Sequence, residues 1–294
     1  MIARSLVTAC LLFTVYSAVL RSAWVRDHAL TQSQWQGNLI RAQEYSANQS
    51  VPANVIVGSS LTARLESTPL SKDFYSLSFS GGGPLTGLKI ITSATSRPKL
   101  VLIETNLLME SVSDTMLANT QQPVFAPLRA HFPALRERFQ PANIAVGTAL
   151  ERSTEYGLRA LRRVISIASV ETSSGADDLF QAMLAEQQKN MSRPPDEVVL
   201  AQRLEQLKEQ VAALGRTGTR VVFVEMPVDA SLMNLPYLTT LRTKIAKTFP
   251  DIPFVRPPAS HVYRTEDALH LGKQEATVYA SLLHGELAHL NLLP

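Results

Sequence analysis

The feature that most constrains this chain is a series of short apolar runs that recur along its body. Most of them are continuous, without the alternation of polar and apolar residues that marks a strand with one solvated face. Continuous apolar strands are typical of a parallel sheet covered by helices on both faces. We therefore predict an α/β fold with a mostly parallel five-stranded sheet, whose strands lie near residues 55–57, 74–79, 100–103, 221–224 and 252–255.

One helix is clearly marked between the third and fourth of these runs. From Leu200 to Leu214 apolar residues recur at intervals of three and four, the period of a helix with one buried face. Pro195 and Asp196 precede the pattern and Gly215 ends it. A crossover between parallel strands needs only about a dozen residues. Since about ninety residues separate Asn106 from the proline break before this helix, we predict a helical insertion at about 108–194.

Length and composition limit the class of protein. A chain of 294 residues with 45% apolar content can bury a full core, and its formal charge of +3 comes from scattered lysines and arginines. No long basic run or aromatic ladder is present, so nucleic acid is not expected as a partner. We predict a signal anchor at 1–26, a polar tether at 27–50 and an α/β domain at 51–294. The tether has too few apolar positions for a core helix, although a partly helical tether is an alternative.

An apolar run from Leu6 to Leu20 lies between Arg4 and Arg21. It is shorter than the roughly 20 residues of a spanning helix, so a cleaved signal peptide competes with a membrane anchor. We favour a single N-terminal transmembrane helix, because Arg21 can extend its charged end to the interface and Trp24 suits that position. If the short N-terminal tail stays in the cytoplasm, the body of the protein lies outside it.

A basic segment lies within the predicted insertion. Four arginines there share the side of a helical pattern opposite its apolar residues, and they are Arg152, Arg159, Arg162 and Arg163. Such a surface suits a partner, an anionic glycan or anionic lipid headgroups. The alternative is an ordinary solvated helix face.

The first candidate for chemistry is Ser60, which follows the first predicted strand through Gly58 and Ser59. In open parallel sheets ligands gather at the carboxyl ends of strands, and a following helix offers free N–H groups to an oxyanion. Ser60 is therefore a candidate nucleophile. The alternative is that Ser59 or Ser60 simply caps the helix.

Two further strand ends carry candidate oxyanion donors. The glycines Gly81 and Gly82 follow the second strand, where their backbone amides can approach a substrate closely, although a plain turn is the alternative. Asn106 follows the third strand and offers a side-chain amide, although a lone asparagine is more often a turn former. Glu104, at the end of the third strand, has no assigned role.

The last candidate pair is Asp267 and His270, which precede a predicted terminal helix. A spacing of three residues lets the carboxylate reach one imidazole nitrogen while the other faces a serine, which fixes the tautomer of the base. The alternative for His270 is a helix-entry residue bonded to backbone. The other histidines lack companions at metal-ligand spacings, so we predict no metal site and no cofactor.

Taken in order, these motifs resemble the SGNH/GDSL hydrolase superfamily. The resemblance covers the body from about Asn54 to Leu283, and its anchored Gly-Ser-Ser variant looks like proteins of polysaccharide O-acetylation and teichoic-acid D-alanylation. It implies a flavodoxin-like three-layer sandwich with Ser60 as nucleophile, His270 as base and Asp267 as its orienting group. It also implies an oxyanion hole from Ser60, Gly81, Gly82 and Asn106.

Two positions depart from the pattern of that superfamily. Ser59 stands where an aspartate usually precedes the nucleophile, and Glu104 stands where a glycine usually begins the third motif. From the resemblance we expect a periplasmic serine O-acyltransferase or esterase, anchored in a bacterial inner membrane, that acts on a cell-surface polysaccharide beside a membrane-bound O-acyltransferase. The alternatives are a lipid esterase and a non-catalytic glycan-binding or assembly protein that docks through its arginines.

Overall fold

The computed structural model describes residues 2–20, 33–48, 50–141 and 173–293. The chain divides into two compact units. An N-terminal unit combines Met1–Gln49 with Ala118–Thr172, and an α/β unit combines Ser50–Leu117 with Ser173–Pro294. The predicted arginine surface at Arg152, Arg159, Arg162 and Arg163 lies outside the described residues.

The α/β unit is built on a five-stranded sheet in which every strand runs parallel to its neighbours. The order is β2-β1-β3-β4-β5, which is the flavodoxin-like order. This confirms the predicted α/β sheet. The strands are β1 (Asn54–Gly58), β2 (Tyr75–Ser78), β3 (Leu100–Glu104), β4 (Arg220–Val224) and β5 (Phe254–Val255).

Both faces of the central strands are buried, as their continuous apolar sequence predicts. On one face Ile56, Leu102 and Val222 belong to a core cluster that also contains Tyr279 from the last helix. On the other face Val57 packs closely against the helix Pro84–Ser93 at Gly87. The sheet is therefore the middle layer of three, and only its ends remain open for a site.

The helices of this unit begin where the sequence provides a start signal. Asp196 caps Glu197–Gly215 by accepting hydrogen bonds from the N–H groups of Val198 and Val199. That helix buries the leucines whose spacing predicted it, Leu200, Leu204, Leu207 and Leu214. The other helices are Ser60–Ala63, Pro84–Ser93, Asp114–Thr120, Ser173–Met191, Pro236–Thr248 and Lys273–His289.

The insertion is shorter than predicted. It leaves the α/β unit at Ala118 and returns by Ser173, so the helix Ser173–Met191 belongs to the α/β unit instead of to the insertion. The expected range of about 108–194 began earlier and ended later than these bounds, because it was drawn from Asn106 to the proline break at Pro194 and Pro195, which follows this helix in the sequence.

The polar segment before the sheet is not a plain tether. It contains the helix Gln34–Ala47, half of whose residues are buried in the N-terminal unit, so the prediction that it could not form a core helix was wrong. Its amide side chains find partners in the insertion. Gln36 donates to the Glu137 carboxylate at 3.0 Å, and Gln43 accepts from the backbone N–H of Glu137 at 2.8 Å. Satisfied polar groups can be buried at little cost, which an apolar pattern does not reveal.

The remaining described elements of the N-terminal unit are two helices and two short 3₁₀ turns. The helices are Ile2–Val19 and Phe125–His131, and the turns are Pro133–Leu135 and Glu137–Phe139. Ile2–Val19 is long and apolar enough to cross a membrane, and its residues are not buried in the protein. A signal sequence passes the same test of length and composition.

Candidate active site

The two adjacent serines in the turn after β1, Ser59 and Ser60, have different environments. Ser59 caps the helix Ser60–Ala63, because its hydroxyl oxygen accepts from the backbone N–H of Leu61 at 3.0 Å. Ser60 is the first residue of that helix and is only partly buried. The alternative of a helix cap is therefore correct for Ser59, and Ser60 is left for another role.

The loop that carries Asp267 and His270 is closed by backbone pairing. Thr265 and Leu271 form an antiparallel bridge, and the N–H of Glu266 donates to the carbonyl of His270 at 2.8 Å. Inside this loop Ala268 has φ of 70°, a left-handed conformation that costs a residue with a Cβ atom roughly 1–2 kcal/mol. The closed loop holds the aspartate and the histidine side by side.

The structure brings the three predicted catalytic side chains together. Nε2 of His270 lies 2.7 Å from Oγ of Ser60, across 210 positions of sequence. Nδ1 of the same ring lies 2.7 Å from Oδ2 of Asp267. The side chains of His270 and Asp267 are 21% and 35% exposed, so the serine–histidine contact is within reach of a ligand from solvent. This is the geometry of a serine nucleophile, its base and the group that orients the base.

Asp267 is held in its charged form. Burial by itself raises the pKa of this carboxyl, but hydrogen bonds from the backbone and ring of His270, the charge of that ring and the N–H of Leu269 outweigh burial and lower the pKa below its ordinary value. Its second oxygen, Oδ1, accepts from the N–H groups of His270 at 2.8 Å and Leu269 at 3.2 Å. An ionised carboxylate on Nδ1 leaves Nε2 available to accept the serine proton.

Glu104 is the site residue whose role sequence reasoning missed. Its side chain is fully buried at the end of β3 and accepts from the N–H of Ser59 at 2.7 Å, the hydroxyl of Ser59 at 2.8 Å and the hydroxyl of Thr62 at 3.0 Å. Burial raises the pKa of Glu104 more than these hydrogen bonds lower it. Glu104 therefore fixes the turn that presents Ser60 without touching Ser60 itself. We call Gly58, Ser59, Thr62 and Glu104 the Glu104 cluster.

Gly58 is required by the close approach of this carboxylate. A Cβ atom at position 58 would lie 2.2 Å from Oγ1 of Thr62 and 2.4 Å from Oε2 of Glu104. Both distances are well inside van der Waals contact, so any larger residue would displace the carboxylate from the turn. A glycine at a strand end followed by two serines is the sequence signal that could have predicted a crowded turn here.

Some of the expected oxyanion donors already donate hydrogen bonds within the protein. The N–H of Gly82 donates to the carbonyl of Phe79 at 2.9 Å, so that amide closes a turn, and its assignment to an oxyanion hole is corrected. Gly81 is exposed, with φ of +74°. Asn106 is buried and exchanges two hydrogen bonds with the backbone of Met226, which use its oxygen and one of its two amide N–H groups. The roles of Ser60, Gly81 and Asn106 as donors stay predictions.

A cavity of about 220 Å³ opens beside the Asp267 loop, between the segments that follow β4 and β5. The backbone N–H of Asp229, in the first of these segments, donates to the carbonyl of Ala268 at 2.8 Å. Arg256 supplies the one permanent charge among the side chains that line the cavity, and its Nε lies 3.3 Å from the buried carboxylate of Glu225. Ligand sites in sheets of this kind lie at these carboxyl ends.

Two other histidines also face carboxylates. Nε2 of His261 lies 2.9 Å from Glu275, and Nε2 of His284 lies 3.6 Å from Asp73. Among the residues that the structure describes, no three histidine, cysteine, aspartate or glutamate side chains are grouped so that they could hold a metal ion.

Comparison with known proteins adds no further constraint. No family model matches the chain, and neither a curated protein nor a solved structure matches it. The function must therefore be argued from the geometry of the site.

Proposed function

We propose that this protein is a serine O-acyltransferase or esterase that works through an acyl-serine intermediate. The observation that supports this most strongly is the continuous chain of short contacts from Ser60 through His270 to Asp267, with 2.7 Å at each link. Nucleophile, base and orienting group at these distances are what acyl transfer through a serine ester needs.

In the first half-reaction Oγ of Ser60 attacks the acyl carbonyl while its proton passes to Nε2 of His270. The tetrahedral intermediate collapses, the bond to the leaving group breaks, and His270 returns the proton to that group. In the second half-reaction a hydroxyl of the acceptor gives its proton to Nε2 of His270 and attacks the ester on Ser60. The bond between the acyl carbon and Oγ of Ser60 then breaks, and His270 returns the proton to that oxygen. Transfer results when the acceptor is a sugar hydroxyl, and hydrolysis results when it is water.

Asp267 keeps the base in the useful tautomer during both steps. Because its lowered pKa leaves it ionised, it holds the proton of His270 on Nδ1 and stabilises the imidazolium that forms. The backbone N–H of Ser60, with that of Gly81, is our candidate for binding the negative oxygen of the intermediate.

The resemblance to SGNH/GDSL hydrolases is supported by the way its two departures fit together. Ser59 replaces the usual aspartate and Glu104 replaces the usual glycine, and these two side chains are hydrogen-bonded to each other. A carboxylate therefore still lies beside the nucleophile turn, although it is supplied by the neighbouring strand. The two departures are therefore joined in one buried contact beneath the turn.

The location of the reaction is the second part of the proposal. We infer that the helix Ile2–Val19 anchors the protein in a bacterial inner membrane with its body in the periplasm, where a membrane-bound O-acyltransferase supplies the acyl group to Ser60 and a cell-surface polysaccharide accepts it. The length and apolar character of this helix support anchoring. The alternative of a non-catalytic docking protein depends on arginines that the structure does not describe, whereas the enzyme hypothesis depends on contacts that it does.

The test is hydrolysis of an activated acetyl ester by the purified full chain. We expect Ser60→Ala and His270→Ala to lower turnover by at least about 10⁴-fold, since members of such a triad act as a unit. The matched controls are Ser281→Ala, an exposed serine of the last helix, and His284→Ala, a histidine that also faces a carboxylate. Both controls should keep wild-type turnover. Unchanged turnover in Ser60→Ala would remove the proposed mechanism.

A further inference from the structure

The N-terminal unit exposes an unusual apolar face around the helix Phe125–His131. Val124, Phe125, Leu128 and Phe132 are 66%, 48%, 37% and 44% exposed. Val124, Leu128 and Phe132 recur at intervals of four residues, and Phe125 stands next to Val124 and three residues before Leu128, so the four side chains lie on this helix or directly beside its ends. We call these four side chains the apolar face. Adjacent large apolar side chains in water are unfavourable and commonly mark a surface that contacts something else.

This face is continuous with the helix that is able to span a membrane. The rings of Phe13 and Phe132 lie 5.9 Å apart between centroids in an edge-to-face arrangement. The hydroxyl of Tyr16 donates to the backbone carbonyl of Phe139, which fixes a second point further along the same helix. All of these residues belong to the N-terminal unit. The apolar face is therefore attached to the spanning helix along its second half.

The position of the contact between Phe13 and Phe132 along the helix indicates how deep Phe132 would lie in a bilayer. Phe13 precedes the end of the helix at Val19 by six residues, which at 1.5 Å per residue is about 9 Å. If Val19 lies near the edge of the hydrocarbon layer, the Phe13 ring lies about 9 Å inside it, and Phe132 lies beside that ring. Interfacial helices bury their apolar side by roughly 5–10 Å. The helix cannot insert fully without carrying Phe132 into the lipid.

The charged groups beside the apolar face fit this arrangement. The guanidinium of Arg129 lies over the Phe125 ring at 5.9 Å and donates to the carbonyl of Asn119. Arg136 donates to the carbonyls of Arg129 and Ala130, so both cations are held next to the face. Cations with apolar stems that border a lipid-facing surface can reach phosphate headgroups. The nearby acidic residue Glu44 is already paired with Arg138 at 2.8 Å.

We infer that the apolar face lies in the bilayer, as an interfacial element beside the helix Ile2–Val19, with Arg129 and Arg136 at the level of the headgroups. This inference rests on the proposed anchoring and not on the proposed catalysis. The protein is then held by two adjoining elements, one spanning the membrane and one lying in its surface. A single flexible anchor would not fix the N-terminal unit against the membrane, whereas two adjoining elements do.

The experiment uses the full chain in vesicles of phosphatidylethanolamine and phosphatidylglycerol. The only cysteine, Cys10, lies on the spanning helix and reports lipid exposure when it carries a nitroxide label. On a Cys10→Ser background the label is moved to position 124 or 128 by Val124→Cys or Leu128→Cys. Lys247→Cys, at an exposed position of the α/β unit, is the matched control for water. Collision of each label with oxygen, which concentrates in lipid, is compared with collision with a water-soluble nickel complex.

We expect the ratio of oxygen to nickel collisions at positions 124 and 128 to resemble that at Cys10 and to exceed that at position 247 several-fold. A ratio at 124 and 128 equal to that at 247, with Cys10 in lipid, overturns the inference and leaves the anchor intact. Shielding of 124 and 128 from both reagents also overturns it, and points to a protein partner. A water-like ratio at Cys10 overturns the anchor and the inference together, while ester hydrolysis by Ser60 is a separate readout.

Discussion

Two carboxylates flank the nucleophile turn, and the same functional group has opposite properties at the two places. Asp267 is 35% exposed, its pKa is lowered, and it binds the ring that takes up and releases a proton in the proposed reaction. Glu104 is fully buried, its pKa is raised, and it accepts hydrogen bonds from a backbone N–H and two hydroxyls of the turn. The first carboxylate is placed for chemistry and the second for architecture.

The difference teaches that exposure and partners, not residue type, decide what a carboxyl group does here. Where the partner is an imidazole that becomes cationic, ionisation of Asp267 is favoured and contributes to the rate. At Glu104 burial dominates and favours the neutral carboxyl. The role of this group is to accept hydrogen bonds from the buried donors of a tight turn. Substitutions at the two positions should therefore separate effects on rate from effects on stability.

The largest expected effect is on the rate. Asp267→Asn should lower turnover by roughly 10³–10⁴-fold, because the amide favours the wrong tautomer of His270. Glu104→Gln retains the shape and most hydrogen bonds of a neutral carboxyl, and should lower turnover by less than about tenfold. Steady-state hydrolysis of an activated ester measures both. Equal losses in the two variants would contradict the division between chemistry and architecture.

The next effect concerns stability, and here the substitution of Glu104 should have a larger effect than that of Asp267. Glu104→Ala leaves the N–H of Ser59 and two hydroxyls without their buried acceptor, so we expect the free energy of unfolding to fall by about 3 kcal/mol. Asp267→Ala removes a half-exposed group, and we expect a loss of about 1 kcal/mol or less. Urea denaturation followed by circular dichroism gives both values. A larger loss in Asp267→Ala than in Glu104→Ala would break the comparison.

The substitution Gly58→Ala tests the structural role of the Glu104 cluster by steric crowding. Gly58→Ala places a methyl group within 2.4 Å of the Glu104 carboxylate, and overpacking of this kind costs about 1–3 kcal/mol. Turnover should fall as well, since the displaced turn carries Ser60. Gly285→Ala is the matched control, because a Cβ atom there meets nothing within 4 Å. Full stability and activity in Gly58→Ala would show that the turn tolerates displacement of Glu104.

The smallest effect is a pair of opposite pH dependences. The folded protein raises the pKa of Glu104, so it retains a proton that the unfolded chain loses, and this group lowers stability as pH rises above about 4.5. Asp267 has a lowered pKa, so its contribution is present above about 3.8 and is lost as pH falls below that value. These two values set an approximate window of pH 3–7 for thermal unfolding. As pH rises across it, the stability of Glu104→Gln should increase relative to wild type, and that of Asp267→Asn should decrease.

The parts of the fold that sequence predicts are those fixed by local pattern. Apolar runs, continuous in most cases, marked all five strands. Apolar residues at intervals of three and four between Asp196 and Gly215 marked the helix Glu197–Gly215. The approach of Ser60 to His270 was implied by the resemblance to SGNH/GDSL hydrolases, which the order of the motifs carries. The signals for strands and helices lie within a few residues of each element.

The parts that sequence did not predict depend on partners far along the chain. Glu104 reaches Ser59 across 45 positions, and nothing near either residue marks the pair. The helix Gln34–Ala47 is buried because Gln43 meets the backbone of Glu137 across 94 positions, so its polar character was misleading. The Gly82 amide closes a turn, and the choice between a turn and an oxyanion donor is made by backbone geometry that a run of glycines leaves open.

The central claim is that Ser60 carries the acyl group between donor and acceptor. The most direct measurement is mass spectrometry of the full chain after brief exposure to an activated acetyl ester and a rapid acid quench that denatures the protein, followed by peptide mapping. The account predicts one added acetyl group, located on Ser60 and missing from Ser60→Ala. An acetyl group that remains in Ser60→Ala, or that maps to Ser59, would contradict it.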